Sequence, residues 1–443
     1  MSRPALLRSM GLTDATLLVV GCIVGVGIFR TASSIAAHVH APLLILALWI
    51  AGGVVSLCGA LCYAELAALF PASGGDYVYI SKIYGRFWGF LFGWTKLFIE
   101  RTGTIAILGF VFAEYAHRLI PYEPWMLRWL AALAILALTA VNVAGVRWGT
   151  VVQNVFTTLK IIALAALVLA GLSIAFAGSG AHPAWTLPPL TAPPTGGPLG
   201  GVGVAFVFVL WTYGGWTEAA YVAEEVKDPV RSIPRAILFG LAATTVLYLL
   251  VNWSYLLCVP VDALPRTPLV ASRVMEQAFG SGGALFIAAM IACSAFGALN
   301  GYILTGGRIL YAMGQDHPAF TRMGAVHPRF HTPALALGVN AAIAIALIFT
   351  KTFEQIMTYS TMVITVFFTM AVFGVIVLRR REPYLRRPYK AWGYPWTVIL
   401  YGLTMIGFMI DVCCKEPVEA VFGFGLLLAG LPVYWLSRAS SRT

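Results

Sequence analysis

Charge is scarce in this chain: Asp, Glu, Lys and Arg make up 11% of its 443 residues, against about 25% in an ordinary soluble domain. So little charge cannot cover a water-facing surface, and 60% hydrophobic residues would leave apolar patches larger than soluble monomers carry. A soluble enzyme is excluded. Ten-residue strands of alternating polarity are absent as well, which excludes a closed membrane barrel. Neither GxxxxGK[ST] nor a Rossmann-type unit after a strand occurs, which argues against primary active transport by this chain alone; the GxG at Gly25 and Gly27 lies within an apolar segment, the wrong context. The seven cysteines show no CxxC or Cys/His spacing, so no metal site, cofactor or disulfide framework is expected. His38, His40, His117, His182, His317, His327 and His331 all fall in loops or at segment ends, which argues against a membrane enzyme built on intramembrane histidine. Met1 to Met10 is short and basic, and the apolar stretch after it is too long for a cleaved signal.

What the chain has is twelve apolar segments: 12–39, 42–70, 87–117, 125–143, 149–176, 201–223, 233–259, 283–313, 332–349, 353–378, 392–412 and 418–436. Most reach the roughly 20 residues that a membrane-crossing helix requires. The expectation is an all-α integral membrane protein with 12 transmembrane helices. With the N-terminus inside, 19 of the 29 Lys and Arg residues fall on the cytoplasmic side, 7 outside, and Lys96, Arg101 and Lys160 within segments. This is the positive-inside asymmetry, and it predicts a plasma (inner) membrane protein with both termini cytoplasmic. The charge of +11 thus needs no nucleic-acid partner. The run from Arg379 to Lys390, six basic residues and one acid, reads as a topology anchor that also meets lipid headgroups.

After a cytoplasmic N-terminus (1–11), a stretch at 178–200 rich in Pro and Gly divides the chain and reads as an outer loop. Five segments precede it (12–177) and five follow (201–379), before a basic cytoplasmic loop (380–391) and a final pair of helices with the C-terminus (392–443). Five is odd, so the second block enters the membrane inverted. Each block opens on a Gly-interrupted segment, GCIVGVGIF from Gly21 and VLWTYGGW from Val209, the pattern that marks the substrate site of inverted-repeat transporters. Close helix packing is the other use of such glycines. Where a helix unwinds mid-membrane, free carbonyls and free amides both need partners. Amides favour an anion and carbonyls a cation, so a zwitterion such as an α-amino acid suits both.

Four further stretches carry a resemblance: CYAELAALFPASGGDYVYISKIYG from Cys62, LTAVNVAGVRWGTVVQNVFTTLK from Leu138, LWTYGGWTEAAYVAEEVKDPVRSIPRAI from Leu210 and FGALNGYILTGGRILYAMG from Phe296. They resemble the L-type amino-acid transporters of the amino acid, polyamine and organocation superfamily, through segments 1 to 10. The resemblance implies a LeuT-like five-plus-five inverted repeat with discontinuous helices 1 and 6. It implies a substrate carboxylate at the amides of Gly25, Val26 and Gly27, and an ammonium at the carbonyls of Ile23, Trp211 and Gly214, with Val24, Thr212 and Asn300 beside them. Trp211 takes the place of the family's outer aromatic gate. Val26 stands where the glycine motif often has serine, so the carboxylate would rest on backbone alone. Lys160 matches a lysine that stands in for sodium in this fold, which implies sodium-independent transport; it reads either as a strut on helix 1 carbonyls or as a proton sensor.

Glu100 follows Lys96 by four positions, a spacing that pairs them on one helix face and points Arg101 elsewhere. The resemblance also puts Glu100 near the substrate side chain, where it would favour cationic or small polar substrates or carry a proton. Glu218 is a second proton candidate, or else a solvated cavity residue. Glu65, Asp76 and the Glu224, Glu225, Lys227, Asp228 cluster are placed in cytoplasmic loops, either as inner-gate ion pairs or as solvated charge. Asn300 either faces the pocket or glues helices. The expected function is sodium-independent transport of amino acids, neutral ones first, by exchange or proton symport. A cationic amino-acid or polyamine carrier and a non-transporting sensor or channel are the alternatives. The loop after His117 has no cysteine, so no disulfide-linked heavy chain of the kind the mammalian members use is expected.

Overall fold

The computed structural model of the protein describes residues 6–178, 200–267, 269–350, 353–415 and 417–439. The expected outer loop at 178–200 lies almost wholly outside the described residues. Among those residues the protein is helical, with one isolated bridge between Met10 and Val226 and no strand. The helices in chain order are α1 (Leu12–Ile23), α2 (Gly27–Ala36), α3 (Pro42–Leu69), α4 (Asp76–Tyr84), α5 (Arg86–Thr95), α6 (Arg101–Leu119), α7 (Met126–Ala144), α8 (Val146–Phe176) and α9 (Gly200–Thr212). There follow α10 (Glu218–Tyr221), α11 (Pro229–Cys258), α12 (Val270–Phe279), α13 (Ser281–Asp316), α14 (Ala334–Thr350), α15 (Phe353–Arg381), α16 (Trp396–Lys415), α17 (Pro417–Leu428) and α18 (Gly430–Ala439).

Among the described residues, six stretches are long and apolar enough to cross a membrane: the α1–α2 pair, α3, α7, α8, α11 and α13. Shorter apolar helices accompany them, α9 and α14 among them. Their outward faces carry large apolar side chains in the open, such as Leu133 at 61% and Leu169 at 66% exposure. At about 25 cal/mol per Å² such faces are costly in water and cost nothing in hydrocarbon. The protein is a multi-pass membrane protein. Inside, α11 lies along α3 and α1, α13 packs against α6 and α8, and α8 touches α1. This arrangement surrounds α1 with three long helices.

Segments 1 and 6 are each interrupted where glycines were noted. Residues 24–26 separate α1 from α2, and residues 213–217 separate α9 from α10. Segment 3 contains an unexpected feature, a π-helical turn over Lys96–Glu100. In it the Arg101 amide reaches back to Lys96 O, and the Thr102 hydroxyl bonds Leu97 O at 2.7 Å. The wider turn narrows the angle between neighbouring side chains, so Glu100 and Arg101 both aim into the protein. Segment 12 is divided into α17 and α18. The helices α4 and α12 fall between the apolar segments; both are short and mixed in polarity, so no long apolar run marks them.

Candidate functional site

The two interruptions meet. Gly215 has φ +109°, and a Cβ there would stand 2.8 Å from the carbonyl carbon and oxygen of Cys22. Only glycine lets the second break lie backbone against backbone on the first. A Cβ on Gly27 would likewise meet Thr212 at 3.0 Å. Tyr248 of α11 ties the breaks together, its hydroxyl lying 2.8 Å from Ile23 O and 3.2 Å from Thr212 O. The Thr212 hydroxyl lies 3.3 Å from that of Thr31.

The backbone groups at the breaks are unequally satisfied. Lys160 of α8 is buried and donates to Gly21 O at 2.7 Å and Val24 O at 2.9 Å, while Ser294 adds a bond to Val24 O at 3.3 Å. An ammonium thus covers the carbonyl end of α1, where the helix dipole is negative. The amide of Gly25 turns back to Ile23 O at 2.7 Å. Among the described residues the amides of Val26, Gly27 and Ile28 have no hydrogen-bond partner, as at the open N-terminus of a helix. At the second break Gly214 N bonds Trp211 O at 3.0 Å and Glu218 N bonds Gly215 O at 3.2 Å. The carbonyls of Tyr213 and Gly214 have no partner among the described residues.

A cavity of about 260 Å³ opens onto both breaks. Its wall includes Ile23, Gly25, Val26, Gly27, Trp211, Thr212 and Gly214, together with Glu100 and Glu218. The opposite side comes from α6 (Thr104, Ile107, Leu108), α13 (Ala298, Tyr302) and α15 (Phe368). Helix α16 adds Tyr401, Met405 and Phe408, a contribution with no signal in the sequence.

Three expected site residues lie off the wall. Val24 is fully buried, with its carbonyl given to Lys160 and Ser294. Lys160 stands behind α1. Asn300 is a correction: it is fully buried on the side of α13 that meets α7 and α8. Its amide nitrogen bonds Gly149 O (3.0 Å) and Gln153 Oε1 (3.1 Å), and its oxygen accepts from Asn142 (2.8 Å). All its polar atoms are spent on helix contacts, which is the gluing use of a polar side chain in a membrane. Ile23 is on the wall, yet its carbonyl already accepts two bonds and has no lone pair left for an ammonium. Trp211 O accepts from Gly214 N and keeps one acceptor position, and Gly214 O has no partner among the described residues.

Below the breaks lies a set of buried ion pairs. Arg101 grips both oxygens of Glu218, at 2.9 and 3.1 Å, and Thr305 bonds both partners. Glu218 is therefore no solvated residue, and Arg101 has a partner that spacing could not name. Lys96 Nζ meets Glu100 Oε2 at 2.9 Å, with Arg101 Nε at 4.0 Å from the same oxygen. Three of the six charges expected in loops, Glu65, Asp76 and Glu225, are also buried. Glu65, within α3, accepts from Arg379 and from the Ala391 amide, with Arg387 at 3.2 Å. Glu225 is held bidentately by Arg308, at 2.8 and 3.2 Å. Burial pushes the Glu225 carboxyl above its usual range, against the pull of Arg308. Asp76, at the start of α4, accepts from the Tyr221 hydroxyl at 2.7 Å, and burial raises its pKa to about 6. The solvated reading fails for these three acids, while Lys227 and Asp228 do stand in solvent.

The sequence of residues 10–436 matches the family described as amino acid permease. The chain is 32% identical to the large neutral amino acids transporter small subunit 2 of Mus musculus, over 98% of this chain and 81% of that one. It is 29% identical to the serine/threonine exchanger SteT of Bacillus subtilis (strain 168), over 97% and 96%. To the b(0,+)-type amino acid transporter 1 of Mus musculus it is 30% identical, over 98% and 88%. With the match running from two residues before α1 into α18, the chain belongs to the amino acid permease family.

Proposed function

We propose that this chain is a sodium-independent secondary transporter of amino acids, neutral L-amino acids first, working by alternating access as an exchanger or a proton-coupled symporter. The observation that carries the reading is one cavity onto which two broken helices open, with uncovered amides at the start of α2 and an uncovered carbonyl at Gly214. A carboxylate on Val26 and Gly27 and an ammonium on Gly214 supply partners of the right sign at both breaks. Relatives named for large neutral amino acids and for serine/threonine exchange support the substrate class.

The architecture we propose is twelve crossing helices with both termini cytoplasmic. Residues 12–177 and 201–379 form two inverted five-helix repeats of the LeuT-like type, and the last two helices follow the basic loop 380–391. Lys160 holds the carbonyls that a cation would otherwise bridge, which supports sodium independence. Trp211, 37% exposed on the cavity wall, is the gate in this reading. The side with Trp211 and Arg30 is open, while the side with Glu218, Tyr221 and Asp76 is shut. With the N-terminus inside, this is an outward-facing form. A cationic substrate draws support from Glu100 on the wall. Residues 117–124 hold no cysteine, so the reading includes no disulfide-linked partner through that loop.

The test is uptake of labelled alanine and leucine by proteoliposomes without sodium, with and without unlabelled amino acid inside. Uptake only into preloaded vesicles identifies an exchanger. Uptake into empty vesicles that rises with external acidity identifies proton symport. Flux that fails to saturate would instead indicate a channel and overturn the proposal.

A further inference from the structure

Four charges lie together at the floor of the cavity: Lys96, Glu100, Arg101 and Glu218. Within this group Arg101 and Glu218 satisfy each other through two bonds, and Thr305 takes a further place on Glu218. The other pair is built differently. Glu100 is 13% exposed and lines the cavity, whereas Lys96 is 1% exposed and stands behind the wall. The Lys96 ammonium sits among the rings of Phe368 (5.1 Å), Tyr221 (5.5 Å) and Phe92 (5.7 Å). This is the kind of aromatic enclosure that holds an ammonium. Among the described residues its ion pair is with Glu100 alone; the nearby acid Asp76 takes its hydrogen bond from Tyr221 and forms no ion pair. The π-helical turn places both members, since Lys96 and Glu100 are its first and last residues.

We propose that Lys96 is a built-in substitute for a substrate cation: it occupies Glu100 from behind the cavity wall and so makes this a site for amino acids with uncharged side chains. The inference rests on the transport reading above and names the residue that sets its substrate class. Two positive and two negative charges leave the floor neutral, and a neutral substrate side chain meets no unpaired charge. Removing Lys96 leaves Glu100 with only the Arg101 Nε at 4.0 Å, a guanidinium already committed to Glu218 through two bonds, so the floor is one positive charge short, which a lysine or arginine substrate supplies. Removing Glu100 leaves the caged ammonium in want of an anion.

The experiment is amino-acid exchange in proteoliposomes by wild type, Lys96→Met, Lys96→Met/Glu100→Gln, and Glu100→Gln. Labelled alanine, lysine and glutamate are the probes, and protein monodispersity in detergent is checked for each variant. The expected result is alanine exchange by wild type that lysine competes for poorly. Lys96→Met should shift the lysine-to-alanine preference by at least roughly tenfold, the lower end of couplings between close charges. The double variant should lose that gain, and Glu100→Gln should shift preference toward glutamate. Should Lys96→Met fail to fold, the opposite-signed Glu100→Gln result decides alone. Wild-type exchange of lysine equal to that of alanine would overturn the assignment, as would folded, exchanging variants with unshifted preference. Absence of both exchange and acid-stimulated uptake of any amino acid by folded wild type would instead overturn the transport reading, and this assignment with it.

Discussion

Replacing Glu218 with glutamine is the sharpest probe of the closed side of the cavity. Arg101 and Glu218 are 1% and 3% exposed, and two near-parallel N–H···O bonds of 2.9 and 3.1 Å join them. Glutamine keeps the shape and one acceptor but removes the charge, so the buried guanidinium keeps only the Glu100 carboxylate, 4.0 Å from Nε and already paired with Lys96. Breaking a buried pair from one side costs about 3–5 kcal/mol. The Thr305 hydroxyl, which donates to Glu218 at 2.5 Å, also loses a charged acceptor, so the upper half of that range is expected. Removing both charges, as Arg101→Met/Glu218→Gln, should restore much of the loss, because two absent charges need no desolvation. A double-mutant cycle on denaturant unfolding of detergent-purified protein measures this directly. A coupling energy of about 2 kcal/mol or more is expected; values that simply add within about 0.5 kcal/mol would refute the account of Arg101 and Glu218 as one unit.

Three further outcomes are expected. Lys160→Met removes two charge-assisted bonds to the end of α1, each contributing about 1.5–3 kcal/mol, and should lower thermal stability and abolish uptake in the same proteoliposome assay. Gly215→Ala sets a Cβ 2.8 Å from Cys22 backbone at φ +109°, so the breaks cannot meet; loss of monodisperse protein is expected, and a stable, transporting variant would contradict the close approach. For Asp76, a pKa raised to about 6 means that the folded state binds the proton more tightly than the unfolded one. Stability therefore falls as pH rises from about 4 to about 6 and is flat above. Unfolding of wild type at pH 5 and pH 7 should differ by on the order of 1 kcal/mol from this group, and Asp76→Asn should remove that difference.

Much of the site was legible because its signals are local. The glycines at 25, 27, 214 and 215 mark the two breaks by composition alone, since a polyglycine-like stretch in an apolar run has no other way to be read than as close packing or unwinding. Lys96 and Glu100 were paired from their spacing of four. Lys160 stood out because an ammonium within an apolar segment must find acceptors; which carbonyls it finds, those of Gly21 and Val24, is a matter of how α8 lies on α1.

What the sequence by itself determined was the membrane setting, the helical class and the places where helices unwind, because each follows from the polarity or flexibility of neighbouring residues. Tertiary structure alone decided the partners. Arg101 and Glu218 lie 117 positions apart, and Glu65 reaches Arg379 across 314. Reading those acids as solvated followed from composition and failed because helices close over them. Helix α13 likewise has one side toward the cavity and another toward α7 and α8, and only its rotation in the packed protein determines which of them Asn300 serves. Local pattern fixes what each helix must hide, but the choice of what hides it belongs to the assembled bundle.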